Sequence, residues 1–398
     1  MVIQETLETN VTADCDVLVC GGGIGGISAA LAAARLGRKV LLLEKQFMLG
    51  GLGTAGLVTI YLPLCDGCGR QVSFGIAEEL LRLSVSMGHE EEYPHNWLDG
   101  SGSRTRQDRR FEVQYNPQLF AILAEQLLLD SGVRILYGSY AVGVSMEGDK
   151  IGAVILENKS GRQAITAKTV VDATGDCDIA HFAGAPTETF QQGNILAAWY
   201  YSLGQRGYKL NVVGVADIPE DQKTEGNKVP QLVPGRFTGL SGEELSKMMQ
   251  LSHAATLEHL LQHRQADDSL VPTAIATTPQ VRMTRRLRGE YTLQDTEVHK
   301  YFPDSVGMVS DWRKRGPVYE VPFSTLYSKE VKNLIAAGRC TSVTDSMWDI
   351  MRVIPCCAVT GQAAGTAAAL GDDFGKLDIR ELQGALEKSG VVLHEKDL

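Results

Sequence analysis

Apolar runs and polar breaks lay out most of the elements along this chain. Val17 to Cys20 (VLVC) is an unbroken apolar run, and Lys39 to Leu43 (KVLLL) nearly repeats it. Runs without alternation mark strands buried on both faces of a parallel sheet. Between them, Ile24 to Leu36 is an alanine-rich helix whose small side chains allow close packing on that sheet. Asn116 to Ser131 carries Leu119, Ile122, Leu123, Leu127 and Leu128 at helical spacing, which predicts a helix with one face in the core. Val133 to Gln163 alternates and is broken by GDK and KSGR turns, the pattern of a small β-meander. Thr169 to Asp172 reads as a buried strand opening into ATGD, and Asn333 to Cys340 again runs from apolar strand to glycine. Gly242 to Gln265 follows Ser241 in a capping-like S-G-E-E and reads as a helix. Arg352 to Leu370 ends in a second small-residue helix, with Pro355 suited to its start.

The strand–helix corner GGGIGG, Gly21 to Gly26, places five glycines among six residues. Glycine in such a position is entropically costly, so bare backbone is required there. Gly21, Gly23 and Gly26 fit G-x-G-x-x-G within a βαβ unit, and Glu44 closes the second strand about twenty residues later. Gly21 permits the tight turn, Gly23 lets backbone approach a pyrophosphate, and Gly26 lets helix and strand pack. Glu44 is placed to accept hydrogen bonds from a ribose. Gly22 and Gly25 are not required by the pattern. A dinucleotide is expected at this corner.

Composition narrows the partners. The 398 residues carry 38 lysines and arginines against 48 acids, a net charge of −10, which disfavours nucleic acid. No apolar stretch reaches the length of a membrane span, and the acidic N-terminus lacks the pattern of a secretory signal. Eight scattered cysteines suit buried thiols in a reducing compartment, so a cytoplasmic location is expected.

Taken together, DVLVCGGGIGGISAALAAARLGRKVLLLEK, the GGLGTAG loop, NPQLFAILAEQLLLDSGVRIL, VVDATGDCDIAHFAGAP, VRMTRRLRGEYTL, and NLIAAGRC with RVIPCCAVTGQAAGTAAAL are a telling set. The chain resembles the flavin-dependent oxidoreductases of the glutathione-reductase-like superfamily, in particular the bacterial FAD-dependent enzymes with a discontinuous FAD domain. The resemblance implies an α/β Rossmann-type FAD-binding domain with an inserted α+β substrate domain. It divides the chain into cofactor segments 1–75, 115–190 and 325–398, and a cap of 76–114 and 191–325. It implies FAD rather than NAD, held by Gly21, Gly23, Ile24, Gly25, Gly26, Glu44, Lys45, Gly50, Gly51 and Thr54. Ala141 or Val142 would lie beside the adenine, Ala173, Thr174 and Gly175 near the adenosine and phosphates, and Gly338 and Arg339 near the ribityl phosphate. The helix after Pro355 would aim its N-terminus at the flavin, stabilising negative charge. No second G-x-G-x-x-G follows a later strand, so no separate nicotinamide domain is expected. No histidine follows the GGLGTAG loop to carry a covalent flavin, so the FAD is expected to be non-covalent.

The chemistry expected is oxidation or reduction of a small polar metabolite by hydride exchange with the flavin, with an electron donor or acceptor that the sequence does not identify. Arg352 is a candidate to hold an anionic substrate or to neutralise reduced flavin. Arg282, Arg285 and Arg286 would share one face if helical and could clamp a carboxylate. Asp345 and Asp349 are weighed as a general base against ordinary loop carboxylates, and His181 as a core or surface histidine. Cys65 and Cys68 (CDGC) offer an alternative thiol–disulfide route, and Cys356-Cys357 is too little for a structural zinc site, so no metal is expected. A non-redox flavoprotein, isomerase-type or scaffold, is the other alternative.

Overall fold

The apolar run Val17–Cys20 forms the inner half of a longer strand, Asn10–Cys20, with parallel neighbours on both sides. Val40–Leu43 pairs on one side, Val17 opposite Val40, and Gly161–Asp172 on the other, Val17 opposite Thr169. This is a computed structural model, and it describes residues 2–68, 70–87, 113–214 and 231–398. Arg134–Leu136 extends the parallel sheet beyond Val40–Leu43, and Leu334–Ala336 joins the second half of Gly161–Asp172. The first half of that long strand turns antiparallel to Lys150–Asn158, which pairs in turn with Tyr140–Glu147. The meander and the parallel core are thus one seven-stranded sheet, joined by a single strand that serves both.

Two small-residue helices cover one face. Ile24–Arg35 returns the chain from the first strand to the second, and Ile354–Leu370 lies against it. Their backbones nearly touch: a Cβ at Gly361 would lie 2.3 Å from the Gly25 carbonyl oxygen, and one at Gly365 2.0 Å from that of Ala29. Only glycine fits at this spacing. The short helix Asp345–Met351 precedes Ile354–Leu370 at a 90° bend. Among the described residues, no single helix is long and apolar enough to cross a membrane.

Residues after 190 add an antiparallel three-stranded sheet, Gly207–Asn211, Tyr200–Gly204 and Val271–Ile275, with helix Gly242–Arg264 beside it. The α/β core with an α+β addition is the architecture expected. Two local readings are corrected. Helix Pro117–Asp130, capped by the Asn116 side chain, buries Phe120, Ala121, Ala124 and Leu128, while Ile122 is exposed. The TRRL segment is not helical: Arg285–Leu287 is a strand paired with Thr187–Thr189.

Candidate active site

At the corner between the first strand and its helix, each glycine answers to a different neighbour. Gly21 takes φ +106°, and a Cβ there would lie 2.3 Å from the Ala173 carbonyl oxygen. One at Gly26 would lie 1.8 Å from the Gly21 oxygen, so Gly26 serves helix–strand packing and does not line the cavity. Gly22 and Gly25, which the motif does not require, are demanded by packing. A side chain at Gly22 would meet Leu49 at 2.7 Å, and one at Gly25 would meet the Gly338 nitrogen at 3.0 Å. Gly23 alone has nothing within 4 Å of where its side chain would stand. It opens on a cavity of about 790 Å³.

Gly23 is also the cap position of helix Ile24–Arg35, and no side chain caps it. The first-turn N–H groups lack intrahelical partners and favour a phosphate there. Glu44 lines the same cavity, almost fully buried, with one oxygen accepting from the Gly22 N–H at 2.7 Å and the other from the Gln46 N–H at 2.8 Å. Burial pushes its carboxyl up, against those bonds, which pull it down. An open glycine, an uncapped helix start and an acid ending the second strand fit an adenine dinucleotide.

Most of the expected cofactor residues meet here. Gly21, Gly23, Ile24, Gly25, Glu44 and Lys45 line the cavity, as do Gly50 and Gly51, whose positive φ angles of 100° and 55° turn the loop back onto Gly22. Ala173, Thr174 and Gly175 come from the long central strand, and Gly338 and Arg339 from the C-terminal one. Three expectations are corrected. The Thr54 side chain is turned away, its hydroxyl given to the Leu49 carbonyl. Val142 is exposed, and the lining at that strand is Ser139, Tyr140 and Ala141. Pro355 is buried one residue behind Val353 and Ile354, which bring the helix N-terminus to the cavity.

The arginines separate rather than converge. In the extended segment Arg282 and Arg285 line the cavity, but Arg286 lies outside it, bonded to Asp345 at 2.6 Å and Glu188 at 3.0 Å over the Trp348 ring. Arg282 gives Nη1 to the Gln280 carbonyl at 3.0 Å and lies over Trp199. Arg285 faces Asp178 at 3.5 Å. Burial, then Asp176 and Asp172, push the Asp178 carboxyl up to about 6. Arg339 pins the loops together, donating to the Val281 and Arg282 carbonyls at 2.9 and 2.7 Å.

Arg352 lines the cavity too, but it is held by Asp349, which is a fully buried helix residue rather than a loop carboxylate. Cys357 stands nearby, its thiol 3.4 Å from the Arg352 carbonyl and pushed up to about 12 by burial. Cys65 and Cys68 do not line the cavity, and none of the eight cysteines is in a disulfide. His181 is exposed. Among the described residues no cluster of His, Cys, Asp or Glu is placed to hold a metal ion.

Sequence reasoning missed Trp199, Trp312, Asp178 and the stripe Val58, Ile60 and Leu62, all on the cavity wall. The alternation of 58, 60 and 62 just after the GGLGTAG loop was the available signal. The tryptophans had none.

Fold and site together define a dinucleotide-binding α/β protein whose cavity wall also carries two tryptophans, Trp199 and Trp312. The chain belongs to the FAD dependent oxidoreductase family, whose model matches residues 16–198 and 198–386, and it is an FAD-dependent enzyme. Over 52 residues, 13% of this chain, it is 50% identical to the inactive all-trans-retinol 13,14-reductase of Danio rerio, spanning only 9% of that protein. It is 25% identical over 243 residues to the thiamine thiazole synthase of Saccharolobus islandicus, covering 58% of this chain and 81% of that one. A geranylgeranyl bacteriochlorophyll reductase-like protein of Thermoplasma acidophilum aligns over 95% of this chain and 82% of its own, with 15% identity and a TM-score of 0.44.

Proposed function

We propose that the protein transfers a hydride between a small polar metabolite and bound FAD. The observation that carries this reading is one continuous cavity, lined at the glycine corner by Gly23 and Glu44 and beyond it by Trp199, Arg282, Trp312 and Arg352. Contacts lead from Gly25 to Gly338, from Gly338 to Cys357, and from Cys357 to Arg352, so the cofactor corner and the chamber are neighbours along one wall.

In this reading Gly21, Gly23, Ile24 and Gly25 take the pyrophosphate on the helix N-terminus, and Glu44 takes the ribose. Lys45, Gly50, Gly51, Ala173, Thr174, Gly175, Gly338 and Arg339 follow the cofactor inward, and Ala141 rather than Val142 meets the adenine. When bound, FAD accepts two electrons with a proton from a substrate carbon, or returns them. The first turn of Ile354–Leu370 offers its N–H groups to negative charge developing beside it. Arg352 orients a substrate oxygen, and the apolar wall of Val58, Ile60 and Leu62 keeps water out. The division into cofactor segments (1–75, 115–190, 325–398) and a cap (76–114, 191–325) belongs to the same proposal. Helix Ile76–Val85, at the start of the cap, packs on Ile354–Leu370 and ties the two parts together. No observation favours the thiol–disulfide route, since Cys65 and Cys68 stand off the cavity.

The test is an absorption spectrum of the purified protein, repeated anaerobically with pooled small metabolites. A yellow protein bleached by one pool is expected. Turnover that leaves the flavin oxidised throughout would replace hydride transfer with a non-redox role.

A further inference from the structure

We infer that the chamber beyond the cofactor selects an uncharged ring compound bearing a hydroxyl or carbonyl oxygen, and that Asp349 sets this preference by cancelling the charge of Arg352. The inference rests on the flavin-redox reading above and narrows its substrate.

The first support is electrostatic. Arg352 Nε donates to Asp349 Oδ1 at 3.0 Å, and Nη2 donates to the same oxygen. Asp349 is fully buried and the Arg352 side chain is 6% exposed, so this pair is formed out of water. Next to it Arg313 makes two bonds to the buried Asp311, at 2.9 and 3.0 Å, and lies 3.5 Å from Asp349 Oδ2. Asp349 thus stands between two arginines and is the acid that Arg352 itself contacts. A carboxylate brought to Arg352 meets a charge that Asp349 has already answered, and it must shed its own hydration to get there.

Hydrogen-bond accounting points the same way. Arg352 has five N–H donors, of which the one on Nε and one of the two on Nη2 are directed at Asp349. Nη1 makes no hydrogen bond among the described residues, and the residue lines the cavity. What Arg352 presents is a pair of donors on a neutralised group, suited to a hydroxyl or carbonyl oxygen.

The walls supply the ring preference. Val58, Ile60 and Leu62 face the cavity, whereas the intervening Thr59 and Tyr61 turn away to bond Tyr201 and the Ala77 carbonyl. The Trp199 indole N–H is given to the Gly214 carbonyl at 2.7 Å, and that of Trp312 to the Asp349 carbonyl at 2.9 Å. Each indole has spent its single donor and offers only ring surface, which suits a flat or alicyclic body. Arg282 is the cation beside Trp199. Its guanidinium carbon stands over the Trp199 ring, 5.2 Å from the centroid, with Nη1 on the Gln280 carbonyl.

The experiment uses the FAD-loaded protein and matched pairs of probes: cyclohexanol against cyclohexanecarboxylate, and benzyl alcohol against benzoate. Binding is read from the perturbation of the flavin spectrum. In the wild type the uncharged member of each pair should bind at least about tenfold more tightly. Asp349→Asn should raise carboxylate affinity by about tenfold, a gain that a purely structural role for Asp349 would not produce. If that variant fails to fold, the wild-type pairs decide alone. Tighter carboxylate binding by the wild type overturns the inference, and its loss in Arg282→Gln would assign the preference to Arg282. Silence from all four probes also overturns it. A flavin bleached by a charged, acyclic metabolite would sink the inference while leaving hydride transfer standing; a flavin that no metabolite reduces would sink hydride transfer instead.

Discussion

Gly23 and Gly26 belong to one motif but are glycine for opposite reasons. A Cβ at Gly26 would stand 1.8 Å from a backbone oxygen, whereas one at Gly23 would stand in open space. Gly26→Ala should therefore destabilise the apo-protein by about 1–3 kcal/mol or more, because neither backbone can give way. Gly23→Ala should melt like the wild type yet lose FAD affinity by about tenfold, because its methyl occupies the room a pyrophosphate needs. Thermal melts of the two apo-variants, set beside FAD titrations, check both, and equal effects in both would refute the distinction. Asp178 adds a pH dependence. Its carboxyl is raised to about 6, above an unfolded value of about 3.9. Its contribution to stability is therefore full below about pH 4 and lost as pH rises through about 6. It lines the cavity, so above pH 6 it places negative charge near a phosphate-bearing cofactor. FAD should bind roughly fivefold more tightly at about pH 5 than at about pH 7.5, and Asp178→Asn should flatten that slope. A slope that persists in the variant would belong to another group.

At the scale of elements, the contact between Ile24–Arg35 and Ile354–Leu370 is the most demanding packing described, with Gly361 and Gly365 against the Gly25 and Ala29 backbones. Gly365→Ala should lower the melting temperature of both apo- and FAD-loaded protein by several degrees, consistent with about 1–3 kcal/mol of overpacking. An unchanged melt would mean the helices can slide apart at no cost. Elements with a strong local period were legible from sequence: the first two strands, the helix between them, the meander and the C-terminal helix. Elements whose period misled show why. In Pro117–Asp130 both faces carry apolar residues, and the buried one is drawn by Phe120 and two alanines, because a close neighbour rewards small size over hydrophobicity. In the VRMTRRL segment three arginines suggested one shared helical face. All are instead buried, and Arg285 and Arg286 pair with acids that the local sequence does not contain.

For the whole molecule, the cavity is assembled from stretches of chain far apart in sequence, among them those around residues 21–25, 43–53, 58–62, 139–141, 173–178, 277–285 and 337–357, with Trp199 and Trp312. The sequence by itself determined the βαβ corner, its glycines, the acid at residue 44, and through them the dinucleotide. Those features depend on turn geometry and periodicity within some thirty residues, and local chemistry is enough to state them. Only the tertiary structure decided that Gly22 and Gly25 must also be bare, that Thr54 and Val142 stand off the cleft, and that Arg282, Arg285 and Arg286 point to three different partners. Only it showed Asp349 bonded to Arg352 beside Trp312. Each of these is a matter of what a side chain meets across the fold. Excluded volume and buried charge are properties of pairs, and for Gly22, Gly25, Arg285 and Arg286 the partners lie tens to hundreds of positions apart along the chain.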